Sequence, residues 1–230
     1  MESKFYQPDE HRAEKVHELF AKIARRYDLL NDIMSAGLHR RWKRRLVDLA
    51  GAPRDVLDLC CGTGDIALMF RARVVGADFT EEMLHVARAR RQSEVNWIRA
   101  DALRLPFADD SFDVVSVGYG LRNLADIEGG IREILRVLRP GGKVLSLDFG
   151  KPENGILRSL YFGYLRTVLP VLGRVYCGDP DTHGYILVSL QSYGAQRGIK
   201  ELMEKSGYRA CGFEEFCGGT MAINFGSKAR

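Results

Sequence analysis

Near the start of the chain, apolar side chains recur at Val16, Leu19, Phe20, Ile23 and Tyr27, intervals of three and four residues that place them on one helical stripe. The period predicts an amphipathic helix over residues 10–31, able to pack across whatever follows. Residues 38–49 read as a second helix, closed by Gly51 and Pro53. Beyond them the pattern changes to short apolar runs at 56–59, 74–78, 95–99, 112–117 and 143–149. Helical stretches separate these runs, one from Asp65 and others at 81–90 and 127–138. Such alternation predicts a parallel sheet with helices on both faces. Residues 199–206 look helical, and 210–216 and 220–225 read as strands joined through Gly218 and Gly219, which makes the last strand antiparallel. Residues 155–176 hold Arg158, Arg166 and Arg174, no acid, and apolar pairs at four-residue spacing. This is the pattern of a basic amphipathic helix that lies on a membrane or walls an apolar tunnel. A core helix broken at Pro170 fits equally well.

The chemistry concentrates at the ends of the apolar runs. Val56-Leu57-Asp58-Leu59-Cys60-Cys61-Gly62-Thr63-Gly64-Asp65 stops on an acid and two glycines, the form of a nucleotide-binding strand-to-helix turn. The spacing also satisfies a relaxed dinucleotide fingerprint. Asp58 tips the balance, since a carboxylate facing that turn repels a pyrophosphate and attracts the ammonium and sulfonium charges of S-adenosylmethionine. Asp78 closes the second run and is the candidate acceptor for both ribose hydroxyls. Asp101, with Ala102 beside it, closes the third and is placed for an adenine amino group. A single acid after a strand commonly caps the next helix, but three on successive strands beside a glycine turn are harder to obtain by chance.

These features resemble the class I S-adenosylmethionine-dependent methyltransferases, and within them the quinone C-methyltransferases of menaquinone and ubiquinone synthesis. The closer likeness lies in Tyr27, Asp28, Asn31, Ser35, His39 and Trp42 at fixed spacing, with Leu30 where that pattern usually has Met. Gly120-Leu121-Arg122-Asn123 after the fourth run is a further match, and Arg136-Val137-Leu138-Arg139-Pro140-Gly141-Gly142 a less specific one. The resemblance covers roughly residues 12–225. It implies a Rossmann-like α/β fold with a seven-stranded mixed sheet, an N-terminal helical extension over residues 1–54 and a methyltransferase domain over 55–230. Within that domain, residues 151–195 form a helical substrate lid. It implies S-adenosyl-L-methionine bound by Asp58, Gly62, Thr63, Gly64, Asp78, Asp101, Ala102 and Gly118. Gly118 stands where many relatives carry a serine that touches the cofactor, so that contact is expected to be lost or to pass to the backbone. Arg122 and Asn123 become the catalytic candidates, Arg122 to stabilise a phenolate or hold a water that acts as base, Asn123 to orient the ring hydroxyl. A structural salt bridge is the competing role for Arg122. His39, His183 and Tyr185 remain as proton-transfer candidates. The implied substrate is a polyprenyl quinol, with demethylmenaquinol favoured over a methoxy-benzoquinol. Val188 and Gly194, where an acid and a proline are typical, leave the substrate side the loosest part of the match.

Composition narrows the alternatives. The chain has 230 residues, 46% hydrophobic and 28% charged, ordinary for one soluble domain. Its start is polar and no window reaches the ~20 apolar residues of a membrane span, so a cytoplasmic location is expected. The five cysteines fit a reducing compartment and lack zinc-ligand spacing, so no metal is expected. The net charge of +4 is uneven, because Arg40, Arg41, Lys43, Arg44, Arg45 and Arg54 face only Asp48 between residues 38 and 54. That run is either a solvated helix face or a patch for anionic lipid or RNA phosphates. No Asn-Pro-Pro-Tyr-like or Pro-Cys segment supports nucleic-acid methylation. A dehydrogenase is disfavoured by Asp58, and a non-catalytic cofactor-binding protein remains as the alternative of another class. Transient contact of 155–176 and the basic run with an anionic membrane is expected, with Leu160 and Leu165 serving the long substrate tail. A homodimer is possible.

Overall fold

Alternation along the first strand decides where everything else packs. In β1 (Asp55–Leu59), Leu57 and Leu59 join one buried cluster while Val56 joins another on the opposite face. Strands β2 (Arg73–Asp78), β3 (Asn96–Arg99), β4 (Phe112–Gly118), β5 (Leu138–Phe149), β6 (Arg209–Phe216) and β7 (Met221–Ser227) complete a seven-stranded sheet in the order β3-β2-β1-β4-β5-β7-β6. The first five strands pair in parallel, and β7 runs antiparallel between β5 and β6, as the glycine-joined pair predicts. The computed structural model describes residues 12–90, 95–177 and 181–230.

The helices are α1 (Arg12–Ile23), α2 (Tyr27–Ser35), α3 (His39–Ala50), α4 (Glu81–Ala89), α5 (Ile127–Val137), α6 (Gly155–Cys177), α7 (Asp181–Ser192) and α8 (Ala195–Lys205). The larger core joins Leu19 and Ile23 of α1, Leu30 of α2, Ile131 and Ile134 of α5 and Ile199 of α8 to Leu57, Leu59 and Val115 of the sheet. Leu46 and Ala50 of α3 pack on Val56, Val74 and Val114 of the other face.

Three expectations need correction. The helix expected from Asp65 is only a 3-10 turn, Ala67–Met69, because the glycine turn uses the first part of the crossover and leaves seven residues between Asp65 and β2, fewer than an ordinary helix needs with its ends. The amphipathic helix expected over 10–31 begins outside the described residues and is divided by a 3-10 turn at Ala24–Arg26, which lets α2 leave the line of α1. Pro170 does not break α6, which runs through it for 23 residues.

Candidate active site

The site is built where the parallel strands end. A cavity of about 930 Å³ opens there, bordered by Gly62, Asp78, Asp101, Ala102, Gly118 and Asn123. These six expected residues come from β1, β2, β3 and β4, brought together by the parallel sheet. The cavity's place beyond the carboxyl ends of the parallel strands is where open α/β sheets bind their ligands. Asp78 accepts the Gly62 N–H at 2.8 Å and the Thr80 N–H at 2.8 Å, so the acid of one strand fixes the glycine turn of its neighbour. Burial raises the Asp78 carboxyl above the ordinary range, with those N–H groups pulling it back down. Gly62 has φ of 55°, a conformation that favours glycine. At Gly118 a Cβ would come within 2.4 Å of the Ile66 Cδ1, which explains the missing serine in this chain: Ile66 fills the space.

Asp58, Thr63 and Gly64 do not border the cavity. Asp58 lies on the α3 side of the sheet, accepting the Ala67 N–H at 3.0 Å and the Ser116 hydroxyl at 2.7 Å. The reason is the pleat: the alternation that turns Leu57 and Leu59 towards the larger core turns Asp58 the other way. Burial pushes its carboxyl up to about 7. Asp58 therefore braces the short turn after β1 instead of facing a cationic ligand. Thr63 donates to Asp28 of α2 at 2.7 Å, tying the N-terminal helices to the glycine turn. Gly64 makes room for Trp97, whose ring would lie 2.4 Å from an added Cβ.

A second cavity, of about 770 Å³, lies between α2, α3 and α6 and is walled by Met34, Leu38, Trp42, Tyr161, Leu165 and Leu169. Its lining is mostly apolar. A smaller space of about 370 Å³ connects the two, lined by Tyr27, Asn31, Phe149, Arg122 and Tyr185. Tyr119 borders all three. This tyrosine holds φ of 59° at the end of β4, a strained setting for a side-chain-bearing residue and a common one at functional sites.

Arg122 is buried in the connecting space. Its Nη1 bonds the Asp148 Oδ1 at 2.5 Å and the Tyr119 carbonyl at 2.9 Å, and its Nη2 donates to the Tyr185 hydroxyl at 3.1 Å. Its guanidinium lies 4.8 Å from the centre of the Phe149 ring. Burial alone would weaken the charge, yet Asp148 and the surrounding tyrosines raise the Arg122 pKa further, so it stays cationic. The salt bridge is thus real, and it holds a permanent charge against the smallest cavity. Asn123 donates to the Tyr119 carbonyl at 3.2 Å, while its buried Oδ1 has no partner among the described residues.

His39 bonds Asp32 at 2.8 Å, is lowered by burial below the ordinary histidine range, and borders the apolar cavity. The side chain of His183 lies outside the described residues. Tyr185, raised by burial, contacts Arg122 directly. Sequence reasoning missed Tyr119 and Asp148. Asp148 ends an apolar strand just as Asp58 and Asp78 do, so the signal was present; for Tyr119 none existed, since its role comes from a backbone angle.

Half of the basic run is neutralised. Lys43 pairs with Asp65 at 2.8 Å, Arg40 with Asp32 at 2.6 Å and Arg45 with Glu214 at 2.8 Å. Burial would raise Asp65, but Lys43 and Arg90 together hold it down to about 2.

Comparison with known proteins agrees with this geometry. Residues 9–228 match the model of the ubiE/COQ5 methyltransferase family. A ubiquinone/menaquinone biosynthesis C-methyltransferase of Azotobacter vinelandii is 38% identical across 96% of this chain and 92% of its own. Its counterpart in Idiomarina loihiensis is also 38% identical, across 93% and 90%. Among solved structures, an S-adenosylmethionine-dependent methyltransferase of Thermotoga maritima superposes with a TM-score of 0.66 at 19% identity, over 92% of this chain and 98% of its own. A phosphoethanolamine N-methyltransferase of Haemonchus contortus, solved with S-adenosyl-L-methionine, gives 0.60 at 18%, over 83% and 53%. The last two likenesses concern the fold alone. With a family model spanning nearly the whole chain and relatives this similar, the chain belongs to the ubiE/COQ5 methyltransferase family, and its methyl donor is S-adenosylmethionine.

Proposed function

We propose that this protein transfers the methyl group of S-adenosylmethionine to a ring carbon of a polyprenyl quinol, with demethylmenaquinol as the preferred acceptor. One observation carries the reading: a cavity at the strand ends meets an apolar cavity at Tyr119, with the buried cation Arg122 beside the junction. The names of the similar proteins support the acceptor class.

The donor supplies a methyl group on a sulfonium, displaced in line, so the protein's contribution is mainly alignment. In this reading Asp78 accepts the ribose hydroxyls and Asp101 the adenine amino group, while Gly62, Ala102 and Gly118 let the backbone approach. A quinol ring in the connecting space meets the Arg122 guanidinium, which stabilises the phenolate formed when the neighbouring hydroxyl gives up its proton. The unpartnered Oδ1 of Asn123 orients that hydroxyl. The ring carbon then forms its bond to the methyl as the sulfonium bond breaks, and the ring proton passes to a water held by Arg122, which restores aromaticity.

The choice of naphthoquinol rests on the lining. Tyr27, Tyr119, Phe149 and Tyr185 give the connecting space aromatic walls that suit a fused ring, and nothing in the chain demands the methoxy group of a benzoquinol. An RNA substrate is disfavoured because Asp32, Asp65 and Glu214 already pair with half of the basic run. The test is the quinone profile of cells lacking the protein. Accumulated demethylmenaquinone with other quinones unchanged is expected. Accumulation of a demethylated methoxy-benzoquinone would reverse the preference.

A further inference from the structure

One face of α6 touches the site only at Tyr164. Ile156, Leu160, Tyr164, Val168, Val171 and Val175 recur at intervals of four, four, four, three and four residues, a single stripe at 100° per residue. The stripe points outward: Leu160 is 68% exposed and Val175 67%, whereas Leu165 and Leu169 on the opposite face are buried. Leu160 and Leu165 therefore lie on different faces of α6: Leu160 is outside, while Leu165 is buried and walls the apolar cavity. Two hydrogen bonds set α2 antiparallel beside the second half of α6, from Tyr164 to the Met34 carbonyl at 3.3 Å and from Arg26 to the Tyr176 carbonyl. Leu29 and Ile33, one turn apart on α2, are exposed apolar residues as well.

We propose that this two-helix face seats the protein on an anionic lipid bilayer, with the apolar cavity opening beside it so that a polyprenyl tail passes between membrane and active site. The proposal rests on the polyprenyl-quinol reading. Continuity supports it first: Tyr164 belongs both to the stripe and to the cavity wall, and the partly exposed Leu38 borders the same cavity. Charge supports it second. No Asp or Glu occurs in α6; at 100° per residue Arg174 projects onto the same edge of the stripe as Ile156, and Arg166 lies about 80° beyond that edge. Both are exposed and, among the described residues, neither makes an ion pair. Cations flanking an apolar helical face favour anionic headgroups. A two-fold-related second copy would instead set these arginines against their own counterparts. No helix of the described residues is long and apolar enough to cross a membrane, so the helix lies on the surface.

The test uses the full chain with phosphatidylcholine vesicles, with and without phosphatidylglycerol, read by co-sedimentation. Binding should require phosphatidylglycerol and weaken with salt. The exposed-face variant Leu160→Ser/Val171→Ser should bind about tenfold or more weakly, and Arg166→Gln and Arg174→Gln about fivefold each. Methyl transfer to a tailless quinol should be unchanged in these variants, while transfer to a long-tailed quinol in vesicles falls. Equal binding by parent and variants, or no binding at all, would overturn the proposal. So would a lipid-free dimer, seen by analytical ultracentrifugation, that the Leu160→Ser/Val171→Ser variant dissociates, since a second copy would then cover the face. If the parent binds anionic vesicles through this face yet methylates no quinol, the surface assignment stands and the substrate reading falls.

Discussion

The strand-end cavity and the cavity under α6 meet at Tyr119 but are built on opposite terms. The one at the strand ends is framed by backbone and by carboxylates held in place by the sheet register, with Asp78 fixing Gly62 across neighbouring strands. The one under α6 is framed by side chains of three helices whose polar contacts with one another are few. The first is a rigid site for a ligand common to many proteins of this fold. The second is adaptable, so substrate identity resides in packing more than in hydrogen bonds. Arg122 sits between them, anchored to the sheet through Asp148 and to α7 through Tyr185.

Substitution at that boundary should have the largest effect. Arg122→Ala strands Asp148 as a buried charge and should cost about 3–5 kcal/mol of stability in denaturant unfolding. Arg122→Lys keeps a cation for Asp148 but loses the fork that also reaches Tyr185. Its turnover should fall about a hundredfold, with binding of the demethylated donor product nearly unchanged. Full turnover in Arg122→Lys would place Arg122 in the fold alone. Within the apolar region, Leu165→Ala should cost about 2–4 kcal/mol and Leu160→Ala less than about 0.5 kcal/mol, a contrast between two faces of one helix that chemical denaturation can resolve. Similar costs at both positions would mean that the outer face is also packed.

The strand-end cavity is probed next by Asp78→Ala. Calorimetry with the demethylated product should show binding about thirtyfold weaker, the loss of a charged acceptor. Unchanged binding would move the ribose elsewhere. The smallest effect concerns Asp58, which does not border the cavity. Its folded pKa of about 7 stands above the ordinary 3.8, so the folded state binds the extra proton and stability falls as pH rises from about 4 to 7. Asp58→Asn removes that dependence, and the variant should gain on the parent in thermal denaturation between pH 5 and pH 8. A constant difference across that range would show that Asp58 is ionised throughout.

The same contrast explains what could be read in advance. The parallel sheet, its antiparallel β7 and the acids Asp78 and Asp101 were legible because strand periodicity and strand ends are local signals. The β1–β2 crossover was not, since its missing helix reflects a shortage of residues that the apolar pattern of 66–70 conceals. Asp58 was misread because the motif fixes its position in the strand but not the face on which its carboxylate lies. The lid was legible as a helix, yet its two apolar faces could be separated only once the burial of Leu165 and the exposure of Leu160 were seen together. Lys43 reads as part of a surface patch in the sequence, and only the fold reveals that it is buried against Asp65.

The most direct measurement is methyl transfer itself. The purified protein should be given S-adenosylmethionine carrying a labelled methyl group and a short-chain demethylmenaquinol, and the product examined by carbon NMR. The label should appear as a methyl carbon bonded to the quinone ring, formed in step with S-adenosylhomocysteine. Label on a ring oxygen, or donor binding with no transfer to any quinol, would contradict the assignment of the Tyr119 junction as a C-methylation site.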